Sequence, residues 1–238
     1  MTTPHLSLVI PAYNEEGIIK SNLEKVLKFL SKKSYLWEIV VVDDGSRDNT
    51  PDIVNSLKKV RLVKLPENMG KGAAVKAGML KARGKLIIFM DADLSVPLNY
   101  IDVVVRALHS SDVAIGSRRV KGSVIKKHQP FLRENMGRVF TKLTQIIIGS
   151  KIADFTCGFK GFTKEAASKV FAHGVIDRWA YDAEIIFLAE KFGLKITEVP
   201  VEWINREETR VKVGRATIES LIDLVKIRFF GLAGKYED

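Results

Sequence analysis

The chain has 238 residues, 38 of them Lys or Arg against 28 Asp or Glu, for a formal net charge of +10, which points to a polyanionic neighbour such as nucleic acid, an anionic membrane surface or phosphate-rich substrates, unless the charge only keeps a basic surface soluble. That length supports one large α/β unit with its own core; the lone Cys157, with no metal-spaced Cys or His companion, excludes a disulfide framework and reads as a packed thiol rather than a nucleophile or ligand. No segment approaches the roughly 18 to 20 apolar residues of a bilayer span, and the N-terminus lacks a basic, then long apolar, leader, so a cytoplasmic protein is expected.

Five short apolar runs open the chain: "LSLVI" (6–10), "WEIVVV" (37–42), "VRLVKL" (60–65), "KLIIFM" (85–90) and "DVAIGS" (112–117). Helix-like stretches begin between them near Glu15, Thr50, Gly70 and Pro97. Strands alternating with helices of this length predict βαβ units and a mostly parallel sheet. Hydrophobicity that is continuous rather than alternating predicts a sheet covered on both faces. Pro51 and Pro97 fall where a first helical turn tolerates proline. Ligands of such sheets bind beyond the carboxyl ends of the strands. The polar clusters "PAYNEE", "DDGS", "PENMGKG", "DADLS" and "GSRR" fall at those ends, which predicts one rim built from five successive loops.

Beyond Arg118 the composition changes. Residues 118–142 carry Arg118, Arg119, Lys121, Lys126, Lys127, Arg133, Arg138 and Lys142 against the single acid Glu134. Its first part, "RRVKGSVIKKHQP", reads as a mobile loop beside the site. Residues 131–149 place Leu132, Met136, Val139, Phe140, Leu143 and Ile147 along one helical stripe flanked by Arg133, Arg138 and Lys142. Residues 215–234 repeat the theme with Ile218, Leu221, Ile222, Val225, Phe229 and Leu232, beside Lys226 and Arg228. Basic amphipathic helices of this kind either face a core or lie on a membrane.

Asp91 and Asp93 directly follow the fourth run. Alternate residues on an extended backbone point the same way, so both carboxylates can face one hard cation, Mg2+ or Mn2+, which takes oxygen ligands and bridges to substrate phosphates. A capping turn is the competing structural reading. Neither G-x-G-x-x-G after the first run nor G-x-x-x-x-G-K-[ST] is present, so those two phosphate cradles are absent. Tyr13 can stack on a base and Glu15 can accept from it; alternatively, Asn14 caps the next helix with Glu15 and Glu16 in its first turn. The adjacent carboxylates of Asp43 and Asp44 repel unless something positive or hydrogen-bonding meets them.

In this order, "SLVIPAYNEE", "VVVDDGSRDNT", "ENMGKGAAVKAGM", "FMDADLS" and "GSR" resemble the catalytic domain of family-2 inverting glycosyltransferases with the nucleotide-diphospho-sugar transferase (GT-A) fold. The later stretches "DFTCGFKGFTKEAASKVF", "DRWAYDAEIIFLAEKFG" and "ITEVPVEW" are similar to the dolichyl-phosphate β-glucosyltransferase branch and its prokaryotic polyprenyl-phosphate relatives. The resemblance implies one domain over residues 1–238, with a nucleotide-sugar half (1–117), an acceptor half (118–213, amphipathic helix near 131–149) and a C-terminal amphipathic helix (214–238). It implies that Asp44 binds uridine with Asp43 in support, where the competing reading makes Asp44 the cap of the helix near Thr50; Pro11, Tyr13 and Glu15 match the base-binding loop.

Asp91, Ala92 and Asp93 match the D-x-D motif, with Asp91 and Asp93 as metal ligands; Ser95 stands where related mannosyl-phosphate synthases often have a third ligand, Gln, and is not counted as one. Lys71 is a candidate for the diphosphate, and Arg118 and Arg133 match positions that hold phosphates. Asp182 sits where family members place an acid near the acceptor; Glu184 could equally serve, or both are exposed acids in a first helical turn. Asp93, Arg118 and Asp182 are thus the expected catalytic residues. The implied reaction moves glucose from UDP-glucose to a polyprenyl (dolichyl or undecaprenyl) phosphate, with Mg2+ or Mn2+, on a membrane surface and without nucleic acid.

Its rivals are GDP-mannose as donor, a polysaccharide hydroxyl as acceptor, and a non-enzymatic nucleotide-binding module. A chain that begins almost at its first strand, without the membrane anchor usual in eukaryotic members, is expected to be a bacterial or archaeal enzyme peripheral on the cytoplasmic face.

Overall fold

The computed structural model describes residues 2–127, 131–205 and 213–237, with the backbone alone described at 131–133 and 213–217. The first four apolar runs form strands β1 (Leu6–Ala12), β2 (Trp37–Asp43), β3 (Val60–Lys64) and β4 (Leu86–Met90). All pair in parallel, in the order β3-β2-β1-β4. The fifth run forms β5 (Val113–Ser117), but it does not pair with β4. Between them lies β7 (Phe159–Thr163), antiparallel to both, and β8 (Ile196–Pro200) closes the far edge parallel to β5. The mostly parallel sheet expected from the sequence is therefore present, with one reversed strand inserted in it.

Side chains along each strand alternate between two cores. Val9, Val40, Val42, Ile87 and Phe89 face one, where α3 (Lys71–Lys81), α6 (Lys164–His173) and α7 (Tyr181–Lys191) pack. Leu8, Ile10, Ile39, Val41 and Ile88 face the other, under α1 (Ile19–Leu30), α2 (Thr50–Ser56) and α4 (Tyr100–Ala107). The second helix starts at Thr50 as expected, with Pro51 in its first turn. The first starts at Ile19 rather than near Glu15, because Asn14 takes a left-handed conformation (φ 54°) and the Ile18 and Ile19 amides close a turn onto the Glu15 carbonyl. Asn14 is therefore not its cap.

The segment expected to be a mobile loop contains a strand, β6 (Val124–Lys127), paired in parallel with β9 (Glu202–Ile204). Two long helices, α5 (Phe131–Ile148) and α8 (Val213–Leu232), pack on each other and on α7. The expected stripes divide: Phe140 and Ile147 of α5 and Leu221 of α8 turn inward, joined by Leu224 and Ile227. Met136, Val139, Leu143 and Ile146 of α5, and Ile218, Ile222, Val225, Phe229 and Leu232 of α8, stand exposed. Among the described residues no helix is long and apolar enough to cross a membrane.

Candidate active site

Strand order reverses between β1 and β4, and a crevice opens there beyond the carboxyl ends of the strands. The loops after β1, β2, β3 and β4 meet at this rim. Because β7 runs the other way, Met90 pairs with Phe159 and the 154–158 segment enters the sheet at the same rim. Sequence alone held no sign of that arrival.

The first two loops are stitched together. Asn14 Oδ1 accepts from the Arg47 amide (2.7 Å), Glu16 Oε2 from the Asn49 amide (3.0 Å), and Thr50 Oγ1 from the Glu15 amide (2.7 Å). Pro11 is buried and Tyr13 and Glu15 are half-buried in this layer. Asp43 Oδ1 accepts from the Ser46 amide at 3.2 Å. Asp44 does not cap α2: its carboxylate turns to the third loop and accepts from Asn68 Nδ2 (2.9 Å) and the amides of Met69 (2.9 Å) and Gly70 (3.0 Å). Burial raises its pKa, with Asp43 adding to the effect and the two amides opposing it. Gly45, at φ 68°, lets the loops cross, since a Cβ there would lie 2.4 Å from the Glu67 carbonyl carbon. The two adjacent acids thus find separate hydrogen-bonding partners, Asp43 in its own turn and Asp44 in the loop that delivers Lys71.

Asp91 and Asp93 share one turn, not an extended strand: β4 ends at Met90, the Leu94 amide closes onto the Asp91 carbonyl (3.3 Å), and Leu94 has φ 54°. The carboxylates nevertheless stay close enough that burial and the Asp91 charge together raise the pKa of Asp93. Ser95 binds both Asp93 oxygens, through its amide (2.9 Å) and hydroxyl (2.7 Å), which orients that carboxylate. Asn22 Nδ2 fixes the turn by donating to the Ala92 carbonyl (2.9 Å). Lys71, first residue of α3, places Nζ 2.6 Å from Asp91 Oδ1. Desolvation opposes its charge, but Asp91, Asp182 and Asp93 outweigh it and raise its pKa. Gly158 leaves the back of Asp91 open, since a Cβ there would sit 2.1 Å from Oδ2.

This donor set fits Mg2+ or Mn2+. Asp91 and Asp93 both act on Lys71, more negative charge than one lysine balances, and hard cations of this class complete their shell with substrate phosphates and water. Among the described residues no group of three or more His, Cys, Asp or Glu forms a self-contained cage, so the remaining ligands would have to come from substrate.

Asp182 and Glu184 are not exposed acids of a first turn; they are 6% and 1% exposed. Asp182 forms an ion pair with Lys160, a fully buried residue of β7 that also donates to the Cys157 carbonyl (2.7 Å). Burial raises the pKa of Asp182, against the pull of Lys160 and Lys71. Glu184 points to the far end of the chain, accepting from the amides of Val175 (2.9 Å) and Ile176 (2.9 Å) and from the Tyr236 hydroxyl (2.7 Å), a structural clamp. Cys157 is a packed thiol, pushed up to about 12 by burial, and so unreactive.

Arg118 makes a bidentate pair with the fully buried Asp154, Nε to Oδ2 at 2.7 Å and Nη2 to Oδ1 at 2.8 Å, and donates to Thr156 Oγ1 (2.8 Å). Its charge is therefore balanced from within. Beside it opens a groove of about 510 Å³ whose lining includes Arg119, Lys142, Gln145, Trp203 and the pair Arg138–Glu134 (2.7 Å). Burial lowers the Arg119 pKa, with the charges of Arg118 and Arg138 adding to the effect and Asp154 and Glu134 opposing it. Arg119 and Arg138 were part of a basic segment in the sequence, but nothing in their spacing set them apart as site residues. Arg133 lies outside the residues whose side chains are described.

A doubly wound sheet with a D-x-D turn at its switch point is the frame of the GT-A glycosyltransferases, and the pattern of glycosyl transferase family 2 matches residues 7–171. The chain belongs to that family and is a glycosyltransferase. It is 36% identical over 248 residues to the dolichyl-phosphate beta-glucosyltransferase of Dictyostelium discoideum, covering 97% of this chain and 76% of that one. To the Homo sapiens protein of the same name it is 30% identical over 252 residues, covering 98% and 78%. Both relatives are eukaryotic, which weighs against the expected bacterial or archaeal origin. Among solved structures, glucosyl-3-phosphoglycerate synthase from Mycobacterium tuberculosis with UDP superposes at a TM-score of 0.71 and 19% identity, over 95% of this chain and 80% of that one. The same enzyme with Mn2+, UDP-glucose and phosphoglyceric acid superposes at 0.70, with 17% identity over the same shares.

Proposed function

We propose that this enzyme transfers glucose from UDP-glucose to a polyprenyl phosphate of the dolichyl or undecaprenyl type, with inversion, giving a β-linked lipid-phosphate glucose and UDP. The observation that carries the reading is the juxtaposition at one rim of the Asp91–Asp93 turn and a groove whose lining holds Arg118, Arg119, Arg138 and Lys142 against the single acid Glu134. The relatives' name supports glucose and a dolichyl acceptor, and the tuberculosis enzyme's complex with Mn2+ and UDP-glucose supports the donor.

In this reading the nucleoside lies over the loops after β1 and β2, with Tyr13 stacked on uracil, Pro11 and Glu15 beside it, and Asp43 and Asp44 beneath. Asp91 and Asp93 hold Mg2+ or Mn2+, which supplies neutralisation of the diphosphate's growing charge. Ala92 lets the turn's backbone approach the donor, and Lys71 lies on the diphosphate side. An oxygen of the lipid phosphate attacks C1 of glucose from the face opposite the diphosphate. The C1–O bond to the diphosphate breaks and its electron pair departs on UDP. The nucleophile is anionic at neutral pH, so no base has to remove a proton; Asp182, paired with Lys160, instead sets the charge balance around Lys71. Arg119, Arg138 and Lys142 attract the lipid phosphate and Arg118 forms the groove's inner wall; Arg133 is kept as an acceptor-phosphate residue on the resemblance alone.

The exposed apolar residues of α5 and α8, fringed by Lys142, Lys226 and Arg228, lie against an anionic membrane surface, where each basic residue contributes on the order of 1 kcal/mol. The test is direct: purified enzyme with Mn2+, short-chain polyprenyl phosphate and either UDP-glucose or GDP-mannose. Lipid-linked glucose from UDP-glucose alone is expected. Transfer from GDP-mannose instead would make it a mannosyltransferase, and neither transfer nor donor hydrolysis would leave a nucleotide-binding module. Arg119→Ala and Arg138→Ala should each raise KM for the lipid phosphate roughly tenfold or more, the loss of one charge-assisted contact, while KM for UDP-glucose stays within about twofold.

A further inference from the structure

Two cavities open at the rim. A narrow niche is lined by Met90, Asp91, Ser95, Val96, Gly158, Phe159 and Trp203. The broad basic groove lies on the acceptor side, and the one residue that lines both is Trp203. Three contacts fix its position. Its neighbour Ile204 donates its amide to the Ser95 carbonyl (3.0 Å), tying β9 to the turn that carries Asp93. Ile125 of β6 pairs with Trp203 on the groove side. The Arg118 guanidinium lies over the indole, 5.3 Å from the ring centroid, and is itself locked by Asp154.

A sugar passing from a diphosphate at Asp91 to a phosphate in the basic groove has to cross this boundary, and the wall there is an indole. An aromatic face meets the C–H groups of a pyranose and excludes water, the nucleophile that competes with the acceptor. Glucose, with every ring hydroxyl equatorial, presents such C–H groups on both faces, so either can lie on the indole.

We propose that Trp203 is the platform for the transferred hexose, holding its C–H face and shielding C1 from water; this rests on the donor and acceptor proposed above. Arg118, through its stack on the indole, is then a positioning residue. The experiment compares wild type with Trp203→Leu, which keeps an apolar side chain against the core but loses the flat face, and with Trp203→Phe, which restores an aromatic one.

Calorimetry with Mn2+ reads the affinities for UDP and UDP-glucose without any acceptor, and product analysis with polyprenyl phosphate reads transferred against hydrolysed glucose. In Trp203→Leu, UDP affinity should stay within about twofold while UDP-glucose binds up to roughly tenfold more weakly, with a larger hydrolysed share, and Trp203→Phe should recover most of both. Unchanged UDP-glucose affinity and unchanged partition in Trp203→Leu would overturn the proposal, as would equal weakening of UDP and UDP-glucose, which marks a purely structural role. A wild type that makes no lipid-linked glucose would sink the proposed reaction instead, and the acceptor-free binding comparison still decides the case of Trp203.

Discussion

Gly158→Ala isolates the role of Asp91. Gly158 accepts the Asp91 amide through its carbonyl (3.1 Å), and a Cβ added to it would lie 2.1 Å from Asp91 Oδ2, 2.5 Å from Cγ and 2.6 Å from Oδ1. Ordinary contact begins near 3.4 Å, so the carboxylate has to withdraw by about 1.3 Å. The Asp91 side chain is 33% exposed and can rotate toward solvent, so the strain stays near the low end for overpacking, about 1 kcal/mol, or a Tm loss of about 2 to 4 °C. The same withdrawal breaks the 2.6 Å contact with Lys71 and separates Asp91 from Asp93.

A displacement of about 1 Å at a reacting centre costs on the order of 10²-fold in rate. The expected variant therefore melts within about 4 °C of wild type, binds Mn2+ in the presence of UDP at least roughly tenfold more weakly by electron paramagnetic resonance, and transfers glucose with kcat/KM lowered about 10²-fold. A folded Gly158→Ala protein with wild-type Mn2+ affinity and turnover would refute the placement of Asp91 at the cation and diphosphate.

Tyr236→Phe removes one donor from the buried Glu184 carboxylate and should cost about 2 kcal/mol, a Tm drop of about 4 to 8 °C, with KM for UDP-glucose unchanged because Glu184 points away from the rim; an unshifted melt would disprove the clamp. Burial works against the Asp154 charge, but the Arg118 guanidinium and its hydrogen bonds hold its pKa below the ordinary value. A carboxylate depressed in the folded state stabilises above its unfolded pKa, and that stability is lost as pH falls through the folded one. Asp154→Asn should therefore cost about 3 to 5 kcal/mol at pH 7, where it leaves the mostly buried Arg118 charge uncompensated, and the gap should narrow once pH drops below about 3.9. Urea midpoints across that range would show it, and a pH-independent gap would contradict the pairing.

What the sequence determined by itself is what short-range pattern can encode. Apolar runs of strand length, such as residues 37–42, specify β2 and its neighbours because a strand buried on both faces needs no partner to be recognised. The loops that follow them fall at one rim by the rules of parallel sheets, so Asp44, Lys71, Asp91 and Asp93 could be gathered before any coordinate was known. The apolar stripe of α8 was legible for the same reason, since a 3.6-residue period is a local property, but whether it faces a core or the outside was left open.

Tertiary structure decided whatever depends on which distant segment arrives alongside. Strand β7, with Lys160 and Gly161 between its two phenylalanines, has no continuous apolar signature, and only its antiparallel insertion between β4 and β5 brings Asp154 and Gly158 to the rim and Lys160 to Asp182. Sequence gives each charge but not its dielectric surroundings or its counter-ion. Asp182 and Glu184 therefore read either as acids near the acceptor or as exposed acids of a first turn, and Arg118 as a holder of phosphate, until burial and the partners Lys160, Tyr236 and Asp154, 22, 52 and 36 residues away, fixed what each could do.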